Sequence, residues 1–421
     1  MNLSIIVIGD EILLGQVTDT NSGFIARTLG PEGWKLKRVL TVGDDPADIR
    51  QAINICMADS QLVITTGGLG PTKDDLTKAV LTERFGGELR RDPAVTENIR
   101  RVFSLRGLTM NPLTADQALV PTSCRVIQNR FGTAPIMWFE EAGRVLIAMP
   151  GVPFETEGMI AAEAGEEILR HFRADTHIAH HTMLASGITE SALASRLEAF
   201  ENSIKGRGHL AYLPVPGYIR LRLDTTATTK EQAEATAEDM AADLRRHLGP
   251  HLLYDGDATP AELVIEQMRS LGLTLGTAES CTGGNIARSI TAIAGASDIF
   301  AGSVVSYSNE VKQQTLGVSA LTLAQHGAVS EPVVQQMARG ACRALGTDCA
   351  VATSGIAGPG GGTADKPVGT VWMAVHTPYG TESRCMRLPG NRARVIDRAT
   401  TEVLLMLYTT LAKNSGKNLA E

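Results

Sequence analysis

Leu62-Val63-Ile64-Thr65-Thr66-Gly67-Gly68-Leu69-Gly70-Pro71-Thr72-Lys73-Asp74-Asp75 decides the fold of the N-terminal part of the chain. Apolar and β-branched residues from Leu62 to Thr66 read as a short buried strand. Three glycines then break it, and Leu76 to Phe85 resumes with helical spacing. A strand running through a glycine-rich turn into a helix is one unit of a parallel α/β sheet. The preceding chain repeats the unit. Ser4 to Ile8 is a strand before a helix over Asp19 to Leu29, stopped by Gly30. Trp34 to Val42 is a strand before a helix over Pro46 to Met57, with proline at its start. The connections are expected to be right-handed. After a less regular stretch, Val145 to Met149 reads as another buried strand before Pro150-Gly151-Val152-Pro153 and a helix to about Arg173.

The pattern then changes. Ala179 to Ala185 and Tyr218 to Leu223 alternate as strands, while Thr189 to Phe200 and the Ala-rich Lys230 to Leu248 are helical, which suits a small two-layer α+β module. Asp255-Gly256-Asp257 reads as a linker. A third domain follows, with a helix over Ala261 to Leu271, a strand over Leu273 to Ala278, and a turn from Glu279 to Gly284 that opens another helix. Strands are expected at Phe300 to Tyr307, Cys349 to Ala352, Thr370 to His376 and Glu382 to Leu388, before a closing helix from Arg392 to Leu411. The expected domains are 1–173, 177–254 and 258–415, with a mobile tail from Lys413 to Glu421.

Bulk properties agree with this organisation. Hydrophobic residues make up 43% of the 421, charged residues 20%, and mean hydropathy is 0.00, as in a chain that packs cores. A formal net charge of −7 and 4% aromatic residues disfavour nucleic acid as the main partner. The acidity is concentrated early, with 26 basic and 34 acidic residues up to Asp257 against 13 and 12 beyond it. No apolar run approaches the ~18 residues of a membrane span. Met1 to Gly15 lacks a basic leader segment and carries Asp10 and Glu11, so a cytoplasmic location without membrane association is expected. The six cysteines form no C-x-x-C pair, which suggests neither a zinc site nor a disulfide framework.

Parallel sheets bind ligands at the carboxyl ends of their strands, where the glycine loop falls. Backbone amides at Gly67, Gly68 and Gly70, with a helix N-terminus behind them, suit phosphate oxygens, and Asp74 and Asp75 are candidate ligands for a divalent ion. The same residues would also serve a tight turn with acids in the first helical turn. Gly9-Asp10-Glu11 and Gly43-Asp44-Asp45 fall at two further strand ends, so three acidic clusters are expected to converge on one edge. That convergence favours a metal-assisted site for a phosphorylated ligand.

The strings Ile8 to Gln16, Asp19-Thr20-Asn21-Ser22, Val42-Gly43-Asp44-Asp45 and Gly67 to Asp75 resemble the N-terminal domain of the CinA (competence/damage-inducible) family, a MoaB/MogA-like, molybdopterin-binding-type fold. Ala278-Glu279-Ser280-Cys281-Thr282-Gly283-Gly284, Val305 to Glu310, His326 to Glu331 and Gly355 to Gly361 resemble its C-terminal domain, so the likeness spans essentially the whole chain. The resemblance implies three parts. They are an N-terminal domain with metal-dependent ADP-ribose pyrophosphatase activity, a KH-like middle module, and a C-terminal nicotinamide mononucleotide amidohydrolase that needs no cofactor. It also implies a homodimer. No KH-type loop is evident in the middle module, so RNA binding does not follow.

Deamidation needs a nucleophile, a base, donors for an oxyanion, and a grip on the nucleotide phosphate. Ser280 lies on a strand-to-helix turn whose following amides, at Thr282, Gly283 and Gly284, are expected to point outward as oxyanion donors. Cys281 is the rival nucleophile, because a thiol at a helix N-terminus has a lowered pKa. The residues alone do not separate the two, and the resemblance favours Ser280. It also implies Tyr307 and Lys312 as its catalytic partners, with a desolvated Lys312 as base, and Arg394, Ser297 and Ser354 on the phosphate. The Gly358 to Gly362 loop is a candidate cover, and His326 is expected to be structural, in a polar niche. A non-catalytic competence or recombination accessory with vestigial nucleotide sites, and molybdopterin handling by the first domain, are the other readings.

Overall fold

The structure is a computed structural model that describes residues 1–72, 75–172 and 176–414. The tail beyond 414, Lys73, Asp74 and Arg173 lie outside the described residues. The chain divides into two compact units, one of residues 1–180 with 225–237 and the other of 181–224 with 238–421.

The first unit is built on a six-stranded sheet in the order Lys35–Val42, Asn2–Ile8, Leu62–Thr66, Arg144–Met149, Ile136–Glu141, Arg125–Ile127. Strand alternation sends Leu62, Ile64 and Ile147 into one cluster, with Ile25 and Leu29 of the helix Asn21–Leu29 and with Met159 and Ile160 of Pro153–Ile160. Val63, Leu146 and Ala148 turn to the other face, against Ile49 and Ile53 of Pro46–Asp59 and Val80 and Leu81 of Thr77–Phe85. The four strands read from the sequence form the parallel part of the sheet. Its first four strands run parallel, and Ile136–Glu141 and Arg125–Ile127 add antiparallel. Tight returns such as Glu141 to Arg144 permit antiparallel neighbours, whereas a parallel one needs a crossover.

The middle module runs strand His177–Ala185, helix Glu190–Ile204, strands Gly208–Val215 and Tyr218–Ala227, helix Lys230–Leu248 and strand Leu252–Asp255. The linker expected at Asp255 begins later. Asp255 closes the last strand, where its carboxylate accepts from Arg245 and, at 2.6 Å, from His181.

The C-terminal domain has a five-stranded sheet in the order Phe300–Val305, Leu275–Glu279, Cys349–Gly355, Thr370–Thr377, Gly380–Arg387. The first three strands are parallel and the last two antiparallel. Helices Pro260–Leu271 and Arg392–Asn414 cover one face, and Glu331–Leu345 covers the other. Among the described residues no helix is long and apolar enough to cross a membrane.

The glycine loop is sterically committed. Gly67 has φ +108°, and a Cβ there would lie 2.1 Å from the Ile8 carbonyl oxygen, whereas Gly15, at φ +70°, has nothing within 4 Å. Gly67→Ala therefore meets both backbone strain and overlap with a neighbouring strand, while Gly15→Ala meets strain alone. We expect Gly67→Ala to cost roughly 3 kcal/mol or more and Gly15→Ala about 1 kcal/mol, read as shifts in urea unfolding of the full chain.

Candidate functional site

The strand Leu275–Glu279 ends at the carboxyl edge of its sheet, where the chain turns into the helix Asn285–Thr291. Glu279, wholly buried, organises that turn. Its carboxylate accepts from the amides of Gly284 (2.9 Å), Ile286 (3.1 Å) and Ala287 (2.9 Å), and from the Ser303 hydroxyl (3.4 Å). It thus meets the otherwise unpaired amides and positive dipole end of the helix.

Ser280 comes next. Its Oγ lies 3.1 Å from Lys312 Nζ, which also donates to the Ser306 carbonyl at 2.6 Å. Lys312 is 1% exposed and has no ion-pair partner among the described residues. Burial pushes its ammonium below the usual lysine value, which makes the neutral amine easier to reach. Cys281 points instead into the core with Ile286 and Ile290, and burial pushes its thiol up to about 11. The lowered thiol pKa considered for Cys281 does not arise, because loss of solvent outweighs the helix terminus.

The turn amides are only partly free, which corrects the expectation for Gly283 and Gly284. Gly284 donates to Glu279, Gly283 to the Ser280 carbonyl at 3.2 Å, and Ser280 itself to the Thr353 carbonyl at 3.0 Å. The Thr282 amide has no partner among the described residues, and the Thr282 side chain is held by Thr353, Oγ1 to Oγ1 at 2.8 Å.

Tyr307 is 62% exposed on the rim, and its hydroxyl accepts from Arg392 Nη2 at 2.7 Å; no hydrogen bond joins it to Ser280 or Lys312. Arg392 Nη1 also donates to the Gly358 carbonyl at 2.9 Å, tying the glycine-dense loop to Tyr307 and to the last helix. Arg392 was not anticipated from the sequence. The expected Arg394 stands two positions along the same helix, about 200° around its axis, and so projects from the other side. Ser354 reaches the same sheet edge, but it alternates away from Thr353 and donates to the Ala328 carbonyl at 2.7 Å. Ser297 is not brought in at all: it lies in the turn Ala296–Asp298, before the amino end of Phe300–Val305, while Ser280 follows the carboxyl end of the paired strand. His326 is exposed at the end of its helix and fills no niche.

In the first unit, Glu11, Asp44, Asp75, Gly67, Gly68 and Gly70 line one cleft of about 510 Å³, so the acidic clusters do converge. Asp10 supports this edge: its amide donates to Asp44 at 3.0 Å, and its carboxylate accepts the Asp44 amide at 3.3 Å. Asp45 caps the next helix through the amides of Ala47 and Asp48. Asp75, expected to ligate metal, accepts from the Gly70 amide (2.6 Å) and from the amide and hydroxyl of Thr72, so it staples its own loop. Its intended partner Asp74 lies outside the described residues. Among the described residues no three His, Cys, Asp or Glu side chains gather as a metal ion requires.

Comparison with known proteins places this geometry. Residues 257–411 match the CinA C-terminal domain family, 4–171 the family described as "Probable molybdopterin binding domain", and 180–253 the damage-inducible protein CinA KH domain. A CinA-like protein of Cytophaga hutchinsonii is 42% identical over 385 residues, covering 91% of each chain. The chain belongs to the CinA family. A CinA-like protein of Flavobacterium psychrophilum is 37% identical over 99% of this CinA-family chain and 100% of its own length. Among solved structures, CinA of Thermoplasma acidophilum is 36% identical, covering 40% of this chain and 97% of that one, with a TM-score of 0.37.

Glu279 holds the turn after Leu275–Glu279 together. Glu279→Ala strands three amides and is expected to cost about 2–4 kcal/mol, while Glu279→Gln, which keeps acceptors, should cost less. Urea unfolding of the full chain with each variant measures the difference.

Proposed function

We propose that the C-terminal domain hydrolyses the carboxamide of nicotinamide mononucleotide, giving nicotinate mononucleotide and ammonia. The observation that carries this reading is the buried Lys312 with Nζ 3.1 Å from Ser280 Oγ. A neutral amine that spends one N–H on the Ser306 carbonyl can turn its lone pair to the serine hydroxyl. The Ser280 proton passes to Nζ as Oγ bonds the carboxamide carbon, and the developing oxyanion meets the Thr282 amide. The C–N bond then breaks, Lys312 returns the proton to the leaving nitrogen, and water cleaves the acyl-serine to the carboxylate. Tyr307 and Arg392 on the rim suit the nucleotide phosphate, since a guanidinium is always charged and binds phosphate through paired N–H groups.

A second activity is supported by the separate cleft of the first unit. The amides of Gly68 and Leu69, without a partner among the described residues, line the cleft with Glu11 and Asp44 and suit a phosphorylated ligand, and we read ADP-ribose, cleaved to AMP and ribose 5-phosphate with an added divalent ion, as its substrate. Incubating the protein with ADP-ribose, with metal or with chelator, and identifying the products tests it. A non-catalytic accessory role predicts no turnover in either domain.

Ammonia release by folded variants tests the first reading. Ser280→Ala is expected to lose several orders of magnitude in kcat and Cys281→Ala little, whereas a dead Cys281→Ala beside an active Ser280→Ala would make the enzyme a thiol amidase. Lys312→Ala should be as severe as Ser280→Ala, and Lys312→Arg should not rescue, because a guanidinium cannot accept the proton. Arg392→Ala should raise KM more than Arg394→Ala does.

The pH dependence follows from the lowered lysine pKa. The base works unprotonated, so kcat/KM should rise with pH through the Lys312 ionisation. The midpoint of that limb should fall below the ordinary lysine value of about 10.4. A limb that stays at the ordinary value would remove Lys312 from the role of base.

A further inference from the structure

The second unit holds a cavity of about 610 Å³ that none of the groups placed around Ser280 lines. The last helix, Arg392–Asn414, forms one side of it. Arg398, Glu402, Leu405, Met406, Thr409 and Lys413 recur at the spacing of one helix face, and that face looks into the cavity. The outer strand Gly380–Arg387 adds Arg384 and Met386. The middle module adds Leu252 and Leu253 from its last strand, and Ile188 from the loop before the helix Glu190–Ile204.

Burial divides these groups into two levels. Leu252, Leu253, Leu405 and Met406 are buried, whereas Arg384 and Lys413 are exposed, so an apolar floor lies under a cationic rim. The rim charges are unmatched. Glu402, the one acid among the lining residues, pairs with Arg398 at 2.7 Å, and neither Arg384 nor Lys413 has an ion-pair partner among the described residues. No aromatic side chain lines the cavity.

Each of these features restricts the ligand. Two unmatched cations beside a concave apolar surface suit an anion whose charge stays at the rim while its body leaves water. Without an aromatic wall there is no stacking face for a purine or a pyridine ring, so the nucleotides of the activities above are poor candidates. An aliphatic chain needs no such face, gains from every methylene it buries, and meets in Met386 and Met406 side chains that adapt to its shape. From Leu405 to Lys413 the helix rises roughly 12 Å, which sets the length of chain that fits between floor and rim. We propose that this cavity binds an aliphatic carboxylate, its head at Arg384 and Lys413 and its chain on Leu252, Leu405 and Met406. The site is independent of both activities proposed above.

Calorimetric titration of the full chain with octanoate, octanol and acetate at physiological salt tests it. Octanoate should bind at least tenfold tighter than octanol, which lacks the charge, and than acetate, which lacks the chain. Joint Arg384→Ala and Lys413→Ala substitution, at two exposed positions that leave the core intact, should weaken octanoate about tenfold, as expected for a lost charged hydrogen bond, and leave octanol unchanged. Arg387→Ala removes an exposed charge from the same strand outside the cavity and should change nothing. Saturating nicotinamide mononucleotide should not displace octanoate. Absence of octanoate binding, or equal affinity in the native chain and the double variant, overturns the site. Equal weakening by Arg387→Ala reduces the effect to diffuse surface charge and overturns it too, and displacement by the nucleotide moves the chain to Ser280 and does the same.

Discussion

The C-terminal site depends on one buried carboxylate. Glu279 stands at the end of a strand with no exposure to solvent, and the start of the following helix is built around its two oxygens. A carboxylate is costly to bury unless donors surround it, and helix N-terminal amides are donors that otherwise go unpaired. Each need answers the other. The result is a rigid turn in which Ser280 follows directly after the anchored residue, at a place set by the sheet.

Burial then sorts the groups around that turn by what they can do. Lys312 is taken out of water and has no acid to pair with among the described residues, so its charge is disfavoured. The same loss of water acts on Cys281 in the opposite chemical sense, holding the thiol protonated and unreactive. Adjacent residues thus meet different surroundings from side-chain direction alone: one opens to Lys312 and the other faces Ile286 and Ile290.

The N-terminal cleft uses a different economy. Of its loop amides, Gly67 donates to the Met149 carbonyl and Gly70 to Asp75, whose carboxylate also holds Thr72, so the acids there act partly as structure. Among the described residues that line it, Asn21 Oδ1 and Thr66 Oγ1 are buried without a hydrogen-bond partner, which no charge pattern would single out.

Much of the fold was legible in the chain. Alternation of apolar residues, glycine turns and capped helices located the strands Leu62–Thr66 and Leu275–Glu279 and the turns after them, since those signals arise within a few residues. The family motifs marked Ser280 and Lys312 as partners, although 31 residues separate them and no local pattern predicts their 3.1 Å approach. Where the sequence reading missed, the missing fact was always a direction or a partner. Arg392, which the sequence did not single out, reaches Tyr307 because of helical phase around the last helix's axis. Ser297 was included because its position at the opposite end of the sheet depends on strand pairing. Gly283 and Gly284 were counted as free donors because the acceptors that occupy them are visible only once the turn closes on itself. The sequence by itself determined which segments pair strand with helix and where the turns fall, because hydrophobic period and backbone preference are local. Only the tertiary structure decided which side chains meet, which amides remain open and which groups lose their water, because those depend on contacts between distant segments.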